Sequence, residues 1–399
     1  MLFNRPKFDK NRPILVFALN FYPQRGGIQT YSYELCAHLH RMGYSVLVLA
    51  RSYEGDEAFD ANQPFKIRRM RGCGIRFLRI VPMVFYFLYA IIRHRVQLVH
   101  CVNWIPCGYI ARRFAAYLRY AYVVSCHGSE ITRNRTGLKG HLLRSTLQKA
   151  SWIIAGSGFT RTVINGLGIL CTPVSVINYG VNSDFFRPGL DAEFLKVKYG
   201  TRGKLMLLTV AELRPRKGVD KVLQAMALLE DRKRDIIYVV AGEGPDQQRL
   251  EGLAAGLGLA DQVFFTGFLS DKDLKYHYAA CDLFIMPNRD EKDDVEGFGI
   301  AFIEAGASGK PVVAGNSGGA ADAVAHGKTG FLVNPCSEKE IAEKVLYFLN
   351  NPDIGRSMGK SGRKRAESLF SWNIQIRKTE MVYEKLFPGR SSAKPILYH

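Results

Sequence analysis

The 399-residue sequence lacks the features that mark several classes of protein. Its eight cysteines include no C-x-x-C pair and no group with histidine at zinc-finger spacing, so we interpret them as reduced core thiols. The polar, basic stretch Met1 to Arg12 shows no sign of a signal peptide. The longest uncharged apolar run, Ile80 to Ile92, is too short for a bilayer span, which needs about 20 residues. The sequence therefore predicts a cytoplasmic protein without a membrane span.

Acidic residues are scarce in the first half of the chain. Residues 1–185 hold 24 Lys/Arg and 8 Asp/Glu, a net charge of +16, whereas residues 186–399 hold 31 and 28, a net charge of +3. Nucleic acid, an anionic membrane surface and a phosphorylated substrate all suit such a charge, and charge alone does not choose among them. The content of 47% hydrophobic and 23% charged residues argues against a disordered or collagen-like chain.

Short apolar runs alternate with longer helical patterns along the whole chain, which is typical of parallel sheets covered by helices. The sequence predicts the α/β class, with two doubly wound parallel-sheet domains that face each other across a cleft. The predicted strands are Ile14 to Leu19, Ser45 to Ala50, Leu98 to Val102, Tyr122 to Cys126, Trp152 to Ala155 and Val174 to Asn178, then Leu205 to Ala211, Ile236 to Ala241, Val263 to Thr266, Leu283 to Met286, Val312 to Ala314 and Phe331 to Val333.

The domain boundary is predicted at the Gly/Asn/Pro-rich stretch Tyr179 to Gly189. We expect an amino-terminal domain over residues 1–185 and a carboxyl-terminal domain over residues 186–370. A final segment, 371–399, contains an amphipathic pattern from Ser371 to Phe387. We expect this helix to pack at the domain junction and to cross back to the first domain.

Two glycine-containing connections follow predicted strands. Gly26-Gly27 stands between the first strand and a helical stretch, where the backbone can approach a diphosphate, although a plain tight turn explains the pair equally well. Lys217-Gly218 follows the strand that ends at Ala211, and the ammonium group of Lys217 can neutralise a phosphate there. A solvated basic loop is the alternative for this second connection.

The most specific feature is the stretch Asp294 to Ala305, which contains Glu296, Gly297, Gly299 and Glu304. The glycines predict a helix start whose amides at Gly299 and Ile300 are free to receive phosphate oxygens. Glu296 precedes this helix and Glu304 lies just over one turn inside it, so the two carboxylates would reach different parts of one ligand. An unpaired charge at Glu304 would be costly among its apolar neighbours, which favours a functional role.

Together with His127-Gly128-Ser129-Glu130, Ser317-Gly318-Gly319 and Gly327 to Val333, these motifs resemble the retaining GT-B glycosyltransferases of family four. The resemblance covers about residues 12–385, with the motifs in the family's order. Within the family, Gly26 to Gln29 and Asp294 to Gly299 are most similar to the phosphatidylinositol mannosyltransferase branch and to cell-envelope glycosyltransferases.

The resemblance implies that the carboxyl-terminal domain binds the nucleotide sugar, and that the amino-terminal domain is a membrane-facing acceptor domain. It also implies roles for individual residues. Glu304 would bind the nucleotide ribose, and Glu296 would bind the transferred sugar. Lys217 would neutralise the diphosphate, with help from the amides of Gly299 and Ile300 and from the backbone of Gly26 and Gly27. Backbone groups around Phe268 and Leu269 would read the base. His127 would contact the donor sugar or the acceptor, with a structural histidine as the alternative.

No metal and no cofactor are implied by the resemblance, since the nucleotide sugar is a substrate. The acidic loop Asp290 to Asp294 is accordingly interpreted as solvated and mobile. One position departs from the family: an arginine usually stands five residues before the phosphate lysine, and here that residue is Glu212. A carboxylate beside a diphosphate is repulsive, so Arg214 or Arg216 is expected to supply the missing cation.

The basic first half contains an apolar, aromatic run, Ile80 to Ile92, with arginines on both sides. This composition suits a helix lying on an anionic membrane, and a helix buried against the sheet is the alternative. We expect a peripheral enzyme on the cytoplasmic face and a lipid-linked or envelope glycan acceptor. The flanking and neighbouring arginines are Arg76, Arg79, Arg93, Arg95, Arg112, Arg113 and Arg119.

Other functions remain open at this point. These are a glycosyltransferase with a soluble small-molecule acceptor, a nucleotide-sugar epimerase and a nucleic-acid-binding protein. No nucleic acid partner is expected, because no recognised binding module accompanies the positive charge. The sugar, the base, whether uracil or guanine, and the linkage are not specified by the sequence.

Overall fold

A computed structural model describes residues 8–71 and 80–387 of the chain. Two parallel sheets lie one after the other along the chain, and helices cover both faces of each. The predicted class, with two doubly wound sheets, is confirmed. Arg76 and Arg79, two of the arginines predicted to face a membrane, lie outside the described residues.

The first sheet has seven strands in the order β3-β2-β1-β4-β5-β6-β7, and all neighbouring pairs are parallel. The order reverses between β1 and β4, which is where ligands bind in sheets of this type. The strands are β1 (Ile14–Phe17), β2 (Val46–Arg51), β3 (Lys66–Met70), β4 (Leu98–Cys101), β5 (Ala121–Cys126), β6 (Trp152–Ala155) and β7 (Val174–Val176).

The second sheet has six parallel strands in the order β10-β9-β8-β11-β12-β13, with the same reversal next to its first strand. Most of its central residues are fully buried, as expected for strands covered on both faces. The strands are β8 (Leu205–Val210), β9 (Ile236–Ala241), β10 (Val263–Gly267), β11 (Leu283–Met286), β12 (Val312–Gly315) and β13 (Gly330–Val333).

Most helices fill the connections between strands, as right-handed crossovers require, and the last three follow β13. They are α1 (Gly27–Arg41), α2 (Asp56–Ala61), α3 (Ile80–His94), α4 (Tyr109–Leu118), α5 (Ser129–Thr132), α6 (Gly137–Gln148), α7 (Gly158–Asn165), α8 (Glu193–Tyr199), α9 (Val219–Ala227), α10 (Gln247–Gly256), α11 (Asp271–Ala280), α12 (Ile300–Ala307), α13 (Ala320–Ala323), α14 (Glu338–Asn350), α15 (Pro352–Leu369) and α16 (Trp372–Leu386). Short turns of other helix types cover Trp104–Gly108, Pro215–Lys217 and Glu230–Asp235.

All twelve predicted strands are present, with ends shifted by at most two residues. One strand, β3, was not predicted. Its sequence, Lys66-Ile67-Arg68-Arg69-Met70, contains no apolar run. The strand lies at the sheet edge and pairs only with β2 among the described strands, and a strand in that position can be polar.

The last helix, α16, lies at the domain junction, as predicted, and it packs on the first domain. Its Tyr383 hydroxyl lies 2.5 Å from Nδ1 of the buried His100, and Tyr44 donates to Glu380 at 2.7 Å. The chain thus passes between the domains twice. The two passages touch, since the amide of Val181 donates to the carbonyl of Phe370 at 2.7 Å. The proposed boundaries at 185 and 370 stay predictions.

Candidate active site

A cleft of about 700 Å³ lies between the two sheets and is lined by residues that follow strands of both. Apart from Arg214, every residue predicted for the site lines this one cleft. The lining members are Gly26, Gly27, His127, Arg216, Lys217, Phe268, Leu269, Glu296, Gly299, Ile300 and Glu304. The topology explains the convergence, because loops at the carboxyl ends of parallel strands meet at one edge.

Glu296 lies just before α12 and receives two cations. Lys217 Nζ and Arg216 Nη1 both bind its Oε2 atom, the second at 2.7 Å. The side chains of Glu296, Lys217 and Arg216 are only 13%, 11% and 16% exposed. Burial alone would raise the pKa of Glu296, but the two positive charges outweigh it and lower the pKa to about 2. Glu296 is therefore ionised at every physiological pH.

Glu304 lies inside α12 and has a different environment. Its Oε2 atom accepts a hydrogen bond of 2.8 Å from the hydroxyl of Tyr278, which is fully buried. Burial raises the pKa of Glu304 to about 7, and the Tyr278 hydrogen bond only partly opposes that effect. The two glutamates thus share one cleft and differ in charge state near neutral pH.

The start of α12 faces the same cleft. Gly299 adopts a left-handed conformation with φ of 88°, and no side chain caps the helix. A Cβ atom on Gly299 would lie 2.4 Å from the ring of Phe302, so only glycine fits this turn. Gly27 approaches from the other domain, where a Cβ atom would lie 3.3 Å from Ile300 Cδ1. Uncapped amides at a helix start suit an anion, and phosphate binding by Gly299 and Ile300 stays a prediction.

The structure separates the two arginines offered as the missing cation. Arg216 points into the cleft, while Arg214 is 44% exposed and donates to Glu212 at 2.7 Å. The hydrogen bond from Arg214 lowers the pKa of the Glu212 carboxyl. Glu212 itself lines the cleft. Glu212 is therefore paired, and Arg216 is the arginine placed beside Lys217.

His127 lies at the end of β5 with both ring nitrogens bonded to protein. Nε2 lies 2.6 Å from the carbonyl of Val102, and Nδ1 pairs with the hydroxyl of Tyr179. A carbonyl only accepts, so Nε2 carries the proton, and a neutral ring then accepts from Tyr179 at Nδ1. This arrangement favours the structural interpretation of His127. Its contact with a sugar or an acceptor stays a prediction.

Phe268 and Leu269 border the opposite end of the cleft. The amide of Phe268 donates to Glu243 Oε1 at 3.2 Å, and the carbonyl of Gly267 accepts from the amide of Gly242 at 2.9 Å. The Phe268 amide is thus bonded to a side chain, and the Gly267 carbonyl to another backbone amide. Base recognition by this segment stays a prediction.

The acidic loop before Glu296 is not solvated throughout, contrary to the interpretation from sequence. Asp294 is 17% exposed and contacts Arg133 of the first domain. Asp293 accepts from Arg135 at 2.6 Å through its carboxylate and from Thr132 through its carbonyl. The loop therefore joins the two domains. Charge composition alone suggested solvation, and no local signal in the sequence marks the distant arginines as partners.

Within residues 8–71 and 80–387, no group of three or more His, Cys, Asp or Glu side chains is arranged to hold a metal ion. The same residues contain no helix that is both long and apolar enough to span a bilayer. Metal independence and the cellular location stay predictions.

Comparison with known proteins adds independent evidence. The family model described as "Glycosyltransferase Family 4" matches residues 25–185, and the one described as "Glycosyl transferases group 1" matches residues 191–365. A GDP-mannose-dependent alpha-(1-6)-phosphatidylinositol monomannoside mannosyltransferase from Mycobacterium tuberculosis is 30% identical over 377 residues, 92% of this chain and 96% of the relative. The chain belongs to the family-four glycosyltransferases.

Further relatives support this assignment. A relative from Corynebacterium glutamicum is named as a GDP-mannose-dependent monoacylated alpha-(1-6)-phosphatidylinositol monomannoside mannosyltransferase. It is 28% identical over 91% of this chain and 96% of the relative. Among solved structures, sucrose-phosphate synthase from Thermosynechococcus elongatus superposes with a TM-score of 0.81 at 22% identity, covering 94% of this chain and 99% of the neighbour. Anabaena HepE, solved with UDP, gives 0.81 at 20% identity, covering 94% and 100%. The predicted family and GT-B fold are confirmed.

Family membership makes this chain a glycosyltransferase. Sequence reasoning missed three residues that shape the site of this glycosyltransferase, Tyr179, Tyr278 and Arg133, and it interpreted Asp294 as part of a solvated loop. Tyr278 lies on α11 and Tyr179 lies in the linker, so their contacts depend on the packing of distant elements.

Proposed function

We propose that the chain is a retaining mannosyltransferase that moves mannose from GDP-mannose to a hydroxyl of a lipid-linked acceptor at a membrane surface. The observation that carries the proposal is the pair of cleft glutamates, one bound to Lys217 and Arg216 and the other to Tyr278. The names of the mannosyltransferase relatives support the donor and the lipid acceptor.

The donor would lie along α12. Lys217, Arg216 and the uncapped amides at the start of α12 would bind the diphosphate, while Glu304 would accept from the ribose hydroxyls. Glu296 would accept from hydroxyls of the sugar once the diphosphate draws Lys217 and Arg216 towards itself. These cations stabilise the charge that develops on the leaving phosphate, which is the main electrostatic contribution expected in such a site.

The chemistry requires no side-chain base. The acceptor oxygen bonds to the anomeric carbon on the face from which the phosphate departs, and the bond from that carbon to the β-phosphate oxygen breaks. The acceptor proton passes to the leaving phosphate, so charge and atoms balance. The new glycosidic bond keeps the anomeric configuration of the donor. No metal takes part in this proposal.

The acceptor domain presents a surface suited to an anionic membrane. Helix α3 buries Phe87, Ala90 and Ile91 in the core, while a stripe on its other side remains exposed. The stripe consists of Val81, Phe85, Tyr89 and Ile92, which are 46%, 73%, 52% and 64% exposed. One side of the helix is thus buried against the sheet, and the exposed side supports the membrane contact that we propose.

Arginines surround this stripe. Arg68 lies 5.7 Å from the ring of Tyr89, and Arg93 and Arg95 follow at the helix end. Helix α4 packs beside α3 through Phe114 and Phe87, and it carries Arg112, Arg113 and the exposed Tyr117. Each basic side chain at an anionic surface contributes about 1 kcal/mol, so several together support peripheral attachment. We place the protein on the cytoplasmic face.

A transfer assay with the purified protein tests the proposal. GDP-mannose, UDP-glucose and UDP-N-acetylglucosamine would be offered with phosphatidylinositol mannoside in anionic vesicles, with free inositol phosphate as a soluble acceptor, and with EDTA in every reaction. We expect lipid product from GDP-mannose alone, with the donor's α configuration shown by NMR coupling constants. Transfer only to the soluble acceptor would replace the membrane part of the proposal, and a β-linked product would refute retention.

A further inference from the structure

A row of alternating charges crosses the cleft. It runs from Arg133 on the first domain to Asp294, Arg216, Glu296 and Lys217 on the second. Arg133 follows α5 and does not line the cleft, whereas Arg216 and Lys217 do. The row therefore connects a residue of the acceptor domain to the cations that face the donor diphosphate.

Asp294 divides its two oxygens between the domains. Oδ2 binds Arg133, while Oδ1 lies 3.2 Å from Nε of Arg216. The contact with Nε lacks hydrogen-bonding geometry, and this buried N–H has no hydrogen-bond partner. Asp294 therefore acts on Arg216 through its charge and not through a hydrogen bond, while Nη1 of Arg216 points to Glu296 in the cleft.

We infer that Arg133 is a positioning residue for the diphosphate, acting on Arg216 through Asp294. With Arg133 present, the negative charge of Asp294 is shared across the cleft, and Arg216 is held less tightly. Without Arg133, Asp294 has Arg216 as its remaining cationic partner, and it competes with the diphosphate for that arginine. By linkage, a bound diphosphate also favours the arrangement in which Arg133 reaches Asp294. The inference rests on the proposed function, because it assumes that the cleft binds a nucleoside diphosphate.

A neighbouring pair provides a matched control. Arg135 binds Asp293 across the same gap, and the exposures of Arg133 and Arg135 are 48% and 47%. Asp293 is 54% exposed, and Arg135 is the cation that its carboxylate contacts. Loss of Arg135 removes an equivalent link between the domains while leaving Asp294 and Arg216 unchanged.

The test measures the Kd for GDP by titration calorimetry in Arg133→Gln, Arg135→Gln, Asp294→Asn and the double variant Arg133→Gln/Asp294→Asn. We expect Arg133→Gln to weaken GDP about fivefold, near the lower end for such couplings because the arginine is half exposed. Arg135→Gln should change the Kd by less than about twofold. Asp294→Asn should bind GDP at least as tightly as the unchanged protein, and adding Arg133→Gln to it should have no further effect.

Steady-state kinetics supply a second measurement. Because Arg133 acts on donor binding, its loss should raise the KM for GDP-mannose more than it lowers kcat. The inference would be overturned if Arg133→Gln and Arg135→Gln raised the Kd for GDP equally. It would also be overturned if Asp294→Asn lost as much GDP affinity as Arg133→Gln. Either result would indicate that Arg133 and Asp294 only link the two domains. If the unchanged protein bound neither GDP nor UDP, the proposed function would fail and this inference with it.

Discussion

At the scale of single residues, the two glutamates of the cleft show how neighbours set chemistry. Glu296 faces two cations and its pKa is lowered to about 2, whereas Glu304 faces a phenol and its pKa is raised by burial to about 7. Sequence spacing predicted that both would meet one ligand. It could not predict the difference in charge state, which depends on the burial of Glu304 and on Lys217 and Arg216 reaching Glu296 from another element.

A first prediction concerns the pH dependence of nucleotide binding. An ionised carboxylate accepts from ribose hydroxyls more strongly than a neutral carboxyl group does, so the affinity for GDP should rise from about pH 6 to about pH 8. Glu304→Gln should bind GDP about tenfold more weakly at pH 8 and lose this dependence. Calorimetry at several pH values measures both. Glu296→Gln is the control and should keep the slope, and a slope retained in Glu304→Gln would contradict the assignment.

The same residue affects stability with a defined sign. The pKa of Glu304 is higher in the folded protein, at about 7, than the ordinary carboxyl value that applies to the unfolded chain. The folded state therefore binds more protons between these values, and its stability falls as pH rises through that range. Glu304→Gln should reduce this decline in the free energy of unfolding, measured by urea denaturation from about pH 5 to about pH 8. If the free energy of unfolding of Glu304→Gln declined as steeply with pH as that of the unchanged protein, a group other than Glu304 would cause the decline.

A third prediction separates the cations of the donor loop. Lys217→Ala and Arg216→Ala should each lower kcat/KM for GDP-mannose about 100-fold or more, because charge on the leaving phosphate is stabilised at their positions. Arg214→Ala, which removes a partly exposed partner of Glu212, should have a clearly smaller effect. Thermal unfolding without donor checks that all three variants fold. An equal loss of kcat/KM in Arg214→Ala would indicate that Arg214 supplies the cation that the family usually has at position 212.

At the scale of secondary-structure elements, apolar runs predicted the buried strands because strands covered on both faces must be apolar. The edge strand β3 was not predicted, because a strand that pairs with one neighbour, β2, can carry charged side chains. Arg68 faces solvent and Arg69 binds Asp60. The run at Ile80 to Ile92 predicted a helix and left its environment open. Only the packing of Phe87 against Phe17 decides which side is core.

A fourth prediction tests the exposed stripe of α3. Phe85→Glu and Ile92→Glu should each reduce sedimentation with anionic vesicles about tenfold, because they replace an apolar side chain that enters the interface with a charge that anionic lipids repel. Leu228→Glu, at an exposed apolar position of the second domain, is the matched control and should not change sedimentation. Unchanged sedimentation of the α3 variants with full transfer activity would remove this surface from the proposal.

At the scale of the whole molecule, the two domains meet through glycine backbone. A Cβ atom on Gly297 would lie 1.7 Å from the carbonyl of His127, and one on Gly128 would lie 2.8 Å from Cα of Gly297. Sequence reasoning assigned these glycines to separate motifs of the two halves. Their contact depends on how the halves dock, which local patterns do not encode.

A fifth prediction follows from that contact. Gly297→Ala should keep each domain folded and prevent the present approach of the two, so transfer should fall about 100-fold or more while the radius of gyration in solution scattering increases. Gly252→Ala, with open space around it, is the control. Full activity in Gly297→Ala would show that transfer does not require this approach.

The double passage of the chain between the domains limits how they can move. The segments at Val181 and Phe370 are bonded to each other, and Gly180 packs against Trp372 so closely that a Cβ atom would collide with its ring. Two tethers at one spot act as a single pivot, which permits swinging and resists sliding or detachment. In the proposed function, one swing would uncover the acceptor side and the nucleotide side of the cleft together, so product exit and reloading with nucleotide sugar would share a step.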